Sequence, residues 1–387
     1  WLKVRALSRR VAVQGWGAMD VQVVFHKLQA LVQEESKGGP QTLHAILRCL
    51  AYMTAQDRER CVAALRAGGA ASLLPPSPSP QGSPQPQPQD LPTLVALLRE
   101  GGAEARLHAA RAMGDLAGAS EGGRLAVARC GGVQALVGLL DGGPLDARTS
   151  AARALGNLAL RCTQNQNAIM AAGGVRSLVQ LAQECASDNE GAYWVAYALA
   201  NLAASNAETS SAIARLGGIA PLVGMVRVGV PDVRRIAAKA LGILAAHRPE
   251  NSASITQAGA IRPLVDLARE GTPEARRSAA AALGKLAESD SESRTAIIKA
   301  GGIAPLVALA QDCTPEACRN AAYALGNLAA RDPENSSRLG EAGALTVLAR
   351  LAQEGPVEAR GHAAKALEKF AVTEASLQSM LAAMGGA

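Results

Sequence analysis

One hexapeptide, Ala-Leu-Gly-Asn-Leu-Ala at residues 154–159, decides the fold because it returns along the chain every 42 or 44 residues. A Leu-Val pair, first seen at 94–95, and a glycine, first seen at 131, return at the same interval. A period in the forties is typical of stacked helical repeats, in which each unit buries its apolar faces against its neighbours. The sequence therefore predicts one helical array, although the length alone would suggest two or three globular domains. Related hexapeptides occupy residues 112–117, 198–203, 240–245, 282–287, 324–329 and 366–371.

Each repeat divides into three helices. The first is short, as over residues 249–258, and ends at a glycine that can adopt the left-handed backbone conformation. The second follows, as over residues 303–311, and the third, as over residues 316–330, carries the hexapeptide. Thr314 is placed to cap the third helix. Gly326 lies in the middle of that helix at a cost of about 1 kcal/mol relative to alanine, and other repeats carry glycine at the same position. We therefore predict that neighbouring third helices approach too closely there for any side chain.

This three-helix unit resembles the armadillo repeat. The resemblance rests on Gly-Gly-Ile-x-Pro-Leu-Val at 301–307, which opens the second helix, and on the hexapeptide in the third. HEAT repeats are the nearest alternative, but they have two helices and lack the short helix that ends in glycine. The resemblance covers residues 91–372 as about seven repeats, with a diverged repeat over 21–69. It implies an all-α fold, a right-handed α-solenoid (superhelix) of three-helix armadillo repeats.

The segments outside the array differ from it in composition. Residues 1–20 are a basic extension that we expect to be poorly ordered, either the tail of an organelle transit peptide or an upstream extension. Residues 70–92 form an insertion rich in Pro, Ser and Gln, which we expect to be mobile because it cannot bury enough apolar surface. It is a tolerated surface loop, a proline-rich ligand or a phosphorylation site. Residues 373–387 are expected to add a C-terminal cap helix, and the protein is expected to be cytoplasmic, nuclear or both, with organelle import as the alternative.

The composition argues against several functional classes. Hydrophobic residues make up 49% of the 387 residues but aromatic residues only 2%, which favours closely packed helices of Leu, Val and Ala. No apolar run is long enough to span a bilayer, and the seven scattered cysteines suggest reduced thiols. The sequence contains no phosphate-binding loop, His-Glu-x-x-His pair or nucleophile elbow, and its five histidines lack metal-ligand spacing. We expect no enzymatic activity, no metal and no cofactor.

A basic stripe follows the third helices, which in a solenoid of this kind line the concave groove. Positions four apart share one helix face. Each third helix was read at the asparagine position of the hexapeptide and at four and eight residues before it, which gives nine basic residues and one acid. A merely solvated face would mix the signs, so we interpret the stripe as a peptide-binding groove. The candidate residues are Arg111, Thr149, Arg153, Asn157, Tyr193, Tyr197, Asn201, Arg235, Lys239, Arg277, Lys285, Arg319, Tyr323, Asn327, Lys365 and Lys369.

Armadillo proteins bind extended peptides in this groove, and the resemblance implies that Asn157, Asn201 and Asn327 pair with the peptide backbone. An Asn amide suits that role because it offers both a donor and an acceptor. Nuclear-import adaptors carry tryptophan four residues before the asparagine, whereas this sequence has Arg153 and Tyr197 at two of those positions. The groove therefore looks closer to the basic groove of β-catenin-like scaffolds. The implied partner is a protein with an extended acidic or phosphorylated segment.

The hypothesis is that such a segment runs along basic residues of the stripe, while aromatic residues add apolar and stacking contacts. The basic residues are Arg153, Lys239, Arg277, Lys285 and Arg319, and the aromatic residues are Tyr193, Trp194, Tyr197 and Tyr323. Trp194 lies one residue off the stripe, and a place between repeats is equally open to it. The stripe could instead serve solubility and pair with acids of neighbouring repeats. Nucleic-acid binding is the weaker alternative because aromatic residues are sparse. A nuclear-transport adaptor, or the armadillo part of a larger ubiquitin-ligase-type polypeptide, stays open.

Overall fold

The structure, a computed structural model, describes residues 91–185, 188–312, 314–330 and 332–370. The predicted basic extension, the diverged repeat at 21–69, the insertion as far as residue 90 and the cap helix lie outside these residues. Within them the chain folds into helices, and no strand occurs in these ranges. The chain divides into two compact units, the first ending at Leu158 and the second beginning at Ala159.

The helices recur in the predicted order of three kinds, and their bounds are as follows. The second helices of the repeats are α1 (Leu91–Glu100), α4 (Gly132–Gly142), α7 (Gly174–Glu184), α10 (Ile219–Val228), α13 (Ile261–Glu270), α16 (Ile303–Ala310) and α19 (Ala344–Glu354). The third helices are α2 (Ala103–Ala119), α5 (Leu145–Ala159), α8 (Asn189–Ala203), α11 (Pro231–His247), α14 (Pro273–Ser289), α17 (Pro315–Ala329) and α20 (Val357–Lys369). The first helices are α3 (Glu121–Arg129), α6 (Thr163–Ala171), α9 (Ala207–Arg215), α12 (Pro249–Gln257), α15 (Ser291–Lys299) and α18 (Pro333–Glu341).

The observed bounds of α12, α16 and α17 agree with the predicted ones to within one residue. One boundary prediction is wrong, because the insertion was expected to run to residue 92. Leu91 begins α1, and Pro92 lies in its first turn. Proline is tolerated there because the first backbone N–H groups of a helix have no intrahelical partner.

The sharp turn between the first and second helices requires glycine. Six glycines at this turn take φ between 75° and 84°, in the left-handed region that other residues rarely adopt. This confirms the turn predicted from the regular spacing of glycine. These residues are Gly131, Gly173, Gly217, Gly259, Gly301 and Gly343.

In the second unit each third helix packs against the next one along the chain, from α8 through α11, α14 and α17 to α20. The predicted apolar stripe of α17 is confirmed, since Ala321, Leu325 and Leu328 have no exposed surface. Small alanines between leucines let helix backbones come close, which explains how a core with so few rings is filled.

The mid-helix glycines mark where neighbouring third helices meet. A methyl group at Gly326 would lie 2.6 Å from both Cα and Cβ of Ala366 in α20, which confirms the predicted close approach. At Gly114 of α2 the prediction that any side chain would clash is wrong. A methyl group there would lie 3.5 Å from Ala154 of α5, which is an ordinary van der Waals contact, because these two helices are further apart at this point.

The predicted caps of the third helices differ between two repeats. In α14 the Thr272 hydroxyl accepts a hydrogen bond from the Ala275 backbone N–H at 3.3 Å, as the sequence suggests. Thr314 occupies the same position before α17, but its side chain makes no capping hydrogen bond, so that prediction is wrong. The backbone differs, since Thr314 has φ −90° and ψ 130° whereas Thr272 has φ −59° and ψ 159°.

Membrane-spanning length was tested over the described ranges. No single helix there is both long and apolar enough to cross a bilayer. Three pairs of consecutive helices, each bent by more than 75° at its break, reach that length and composition only when the two helices are taken together.

Candidate functional site

The third helices α11, α14, α17 and α20 of the second unit line a cavity of about 620 Å³, which we call the basic groove. The prediction from the stripe places several side chains here correctly. Two carboxylates, Glu274 and Glu316, and one imidazole, His362, also line it and were not among the predicted residues. The predicted residues that the structure brings together in the basic groove are Arg235, Lys239, Arg277, Lys285, Arg319 and Tyr323.

The residues that the prediction missed share a register. Ser278, Asn320 and His362 each lie seven residues before an asparagine-register position and line the basic groove. A helix has 3.6 residues per turn, so positions three, four and seven apart lie on one face. Reading only the fourth and eighth positions therefore covered half of the face, and the seventh position was the signal that could have found His362.

Two cations in the basic groove are not neutralised by the protein. Lys239 is exposed and Arg319 is half-buried, and neither forms an ion pair with any residue that the structure describes. The Arg319 Nε lies 3.5 Å from the Oδ1 of its neighbour Asn320, which is a long hydrogen bond. Lys365, on α20, is exposed and likewise has no carboxylate partner in these ranges. These three side chains present positive charge to a ligand.

Other cations of the stripe are paired. Arg235 Nη2 lies 3.2 Å from a carboxylate oxygen of Asp232, one turn earlier on α11. Arg277 contacts two carboxylates, Glu274 at 3.5 Å in its own repeat and Glu316 at 3.3 Å in the next. Pairing with acids of neighbouring repeats, the alternative explanation of the stripe, is therefore realised at Arg277. All three carboxylates are more than half exposed, and such pairs contribute little to stability, typically about 0–1 kcal/mol.

Lys285, Glu288 and Tyr323 form a polar cluster on the wall of the basic groove. Lys285 Nζ donates to the Tyr323 hydroxyl at 2.7 Å and lies 3.1 Å from Glu288 Oε2, and the Tyr323 hydroxyl donates to the same carboxylate. Burial opposes ionisation of Glu288, but the hydrogen bonds from Tyr323 and Lys285 outweigh it and lower the pKa of that carboxyl. Burial and the bond to Glu288 raise the pKa of Tyr323. The Tyr323 hydroxyl is thus engaged within the protein, and its ring is what remains for contact with a ligand.

The asparagines have a structural role that the sequence analysis did not foresee. Asn327 is buried, and its Nδ2 donates to the backbone oxygen of Gly284 at 2.9 Å, while its Oδ1 accepts from Lys369. Asn157 makes the same bond at 2.9 Å to the backbone oxygen of Gly114. In both cases the acceptor is the mid-helix glycine of the preceding third helix. The implied grip on a peptide backbone therefore competes with bonds that already join neighbouring repeats.

The third candidate asparagine and three aromatic residues lie on α8. Asn201 is 6% exposed. The rings of Tyr193 and Tyr197 are parallel with centres 6.4 Å apart, and Trp194 meets both edge-on at 4.9 and 5.7 Å. Tyr193 and Trp194 line a separate pocket of about 270 Å³ together with Val230. Both are half-buried, so Trp194 offers a face to this pocket and is not fully enclosed between repeats.

The remaining candidates belong to the first unit. Arg111 is exposed, and Arg153 is hydrogen-bonded to Asp115, the one acid of the stripe. Thr149 is 6% exposed and its Oγ1 finds no partner in the structure, so the expectation that it faces the groove is wrong. It lies on the core side of α5 because the eight-residue step has drifted around the helix. Within the described ranges, no three His, Cys, Asp or Glu side chains come together as metal ligands would.

Comparisons with known proteins agree with this architecture. The family model for the Armadillo/beta-catenin-like repeat matches residues 120–160, 248–288 and 290–330. An engineered protein solved by the Northeast Structural Genomics Consortium is similar over 99% of this chain and 92% of its own, with 27% identity and a TM-score of 0.72. No curated protein sequence matches this chain.

Two designed armadillo repeat proteins are similar over a shorter stretch. The first shares 30% identity with a TM-score of 0.58, covering 62% of this chain and 99% of its own. The second, solved in complex with the peptide (KR)4, shares 28% identity with a TM-score of 0.57, again covering 62% and 99%. The repeat period, the three-helix unit with its left-handed glycine and these similarities agree: the chain belongs to the armadillo-repeat proteins.

Proposed function

We propose that this protein is a non-enzymatic scaffold that binds an extended acidic or phosphorylated peptide in the basic groove. The observation that carries the proposal is that Lys239 and Arg319 line this groove without an ion pair to any described residue. A cation left unpaired in a concave site is available for charge-assisted hydrogen bonds to a ligand carboxylate or phosphate. Tyr323 adds an aromatic surface on the same wall.

The balance of charge supports an acidic partner. Five Lys or Arg side chains line the basic groove against two carboxylates, Glu274 and Glu316. Both carboxylates contact or neighbour Arg277, so an acidic ligand competes with them for that residue. The designed armadillo protein in complex with (KR)4 shows that a solenoid of this class holds an extended octapeptide. Like charges facing each other across an interface are strongly unfavourable, so this groove selects the opposite sign of ligand.

The matched test uses two octapeptides of equal length and opposite charge, (DE)4 and (KR)4, each labelled for fluorescence anisotropy. We expect (DE)4 to bind and (KR)4 not to bind, with (DE)4 affinity falling as salt rises from about 50 to 200 mM. Tighter binding of (KR)4 would refute the proposed charge preference. Tighter binding of a single-stranded oligonucleotide than of (DE)4 at physiological salt would favour the nucleic-acid alternative.

Charge reversal locates the site. Lys239→Glu and Arg319→Glu each remove a charged hydrogen-bond donor worth about 1.5–3 kcal/mol, so each should weaken (DE)4 binding by about 10- to 100-fold. Lys299→Glu is the matched control, because Lys299 is exposed on α15 and does not line the basic groove. Circular dichroism checks that all three variants are folded. Equal losses in Lys239→Glu and Lys299→Glu would mean that binding follows net charge and not the groove.

A further inference from the structure

His362 lies at the α20 side of the basic groove and was assigned no role by the sequence analysis. Its ring packs edge-on against Tyr323 of α17, with 6.0 Å between the ring centres. Arg319, also on α17, lines the same cavity, and Lys365 follows His362 by three residues on α20. Three nitrogen-bearing side chains therefore come together where the described part of the groove meets its last third helix.

Every charge that acts on His362 is positive. Burial lowers the pKa of its imidazole below the usual value, and Arg319, Lys365 and Lys285 lower it further. These charges come from α17, α20 and α14, and none comes from α19, the other helix packed against α20. Lys285 is balanced by Glu288 at 3.1 Å, whereas Arg319 and Lys365 form no ion pair with a described residue. A bound anion would relieve this excess of positive charge.

Taking the proposed function of the groove as given, we propose that Arg319, Lys365 and His362 form a subsite that binds a phosphoryl group carried by the peptide. The Arg319 guanidinium provides two parallel donors, a geometry suited to phosphate oxygens. Lys365 adds a point charge, and His362 becomes a donor at both ring nitrogens once it is protonated. A phosphoryl group suits this set better than one carboxylate because it carries nearly two charges and three acceptor oxygens.

This arrangement couples binding to proton uptake. An anion beside the imidazole favours its charged form, so the bound peptide raises the pKa of His362. Each unit of that rise makes the affinity about tenfold higher well below both pKa values than well above them. A groove that binds anions through lysine and arginine alone would show no such dependence between pH 5 and 8 on the protein side.

The direct test follows His362 by NMR. Three peptides share one acidic sequence and differ at a single position, which is phosphoserine, serine or glutamate. The imidazole of His362 is titrated in the free protein and with each peptide, and His108 on α2, which does not line the basic groove, is the internal reference. We expect phosphoserine to raise the pKa of His362 the most while that of His108 stays constant. This readout reports the imidazole itself and is therefore independent of titration of the phosphate.

Variants separate the members of the subsite. His362→Gln keeps a hydrogen-bonding side chain but cannot take up a proton, so calorimetry in buffers of different ionisation enthalpy should show proton uptake in the wild type that this variant loses. Lys365→Glu should reduce the preference for phosphoserine over serine by about tenfold or more. Lys299→Glu, the control used above, should leave that preference unchanged.

The outcomes distinguish the subsite from the groove. If acidic peptides bind but phosphoserine gives no gain over serine and the pKa of His362 does not move, the subsite is wrong and the proposed function stands. If none of the three peptides binds the wild-type protein, the proposed function fails and the subsite fails with it. Tighter binding of phosphoserine, with a raised pKa of His362 and a loss in Lys365→Glu, supports the subsite.

Discussion

Replacing Gly326 with alanine tests whether close packing of α17 against α20 is rigid. The new methyl group would lie 2.6 Å from Cα and Cβ of Ala366, where carbon atoms normally stay about 3.5–4.0 Å apart. The helices must therefore separate by about 1 Å at this point, and overpacking of this kind costs about 1–3 kcal/mol. Alanine returns about 1 kcal/mol through its higher helix propensity. We expect a net loss of up to about 2 kcal/mol in the free energy of unfolding.

The same substitution at Gly114 should have the opposite sign. Its methyl group would make ordinary contact with Ala154 at 3.5 Å, so only the propensity gain of about 1 kcal/mol operates. Gly138→Ala on α4 is the propensity control, because no atom lies within 4 Å of the new methyl group. The contrast between these positions removes the general effect of replacing glycine.

Urea denaturation followed by circular dichroism measures these differences, and hydrogen exchange resolves them by helix. The second readout is needed because repeat arrays do not always unfold as one unit. Faster exchange in α17 and α20 of Gly326→Ala, with slower exchange in α2 of Gly114→Ala, is the expected pattern. If Gly326→Ala stabilises the protein as much as Gly114→Ala does, the helices separate without cost and the packing argument is wrong.

Two further predictions concern the polar contacts between repeats. Asn327→Leu removes the buried amide that donates to Gly284, and it should lower the free energy of unfolding by about 1–3 kcal/mol in urea; an unchanged urea midpoint would contradict the structural role. Tyr323→Phe removes a hydrogen bond that lowers the pKa of Glu288. A lowered carboxyl pKa stabilises the fold above the unfolded pKa, and this contribution is lost as pH falls through the folded value, so the variant should lose more stability at pH 7 than near pH 3. Equal losses at both pH values would exclude the link.

The fold could be predicted because its causes are local and repeated. Glycine at a fixed interval signals a left-handed turn, and the hexapeptide signals the apolar stripe of the third helix, so both recur wherever the structure repeats. Helix spacing was predicted less well, as Gly114 shows, because the distance between two helices depends on all the residues between them. The unused seventh position, which would have found His362, was visible in the sequence but was not read.

The electrostatics of the site were harder to predict. Whether Arg277 is available depends on Glu316, which lies 39 residues later and on the next third helix. Glu288 is one turn from Lys285 but forms its strongest cluster through Tyr323, 35 residues away. These distances across repeats follow from the rotation of each third helix relative to the next. A sign count along one register cannot contain that rotation, and it therefore overestimated the number of cations available to a ligand.

The asparagine register explains why recognition in this protein falls to other side chains. Asn327 donates to the carbonyl of Gly284 in the preceding third helix, so its position couples one repeat to the next. Where Lys285 stands in that register, the side chain instead reaches Glu288 and Tyr323 and contributes charge to the basic groove. An asparagine at this register thus holds neighbouring helices together, and a departure from it changes the chemistry of the groove wall. Positions that deviate from the repeat consensus are therefore the ones that set which peptide this solenoid accepts.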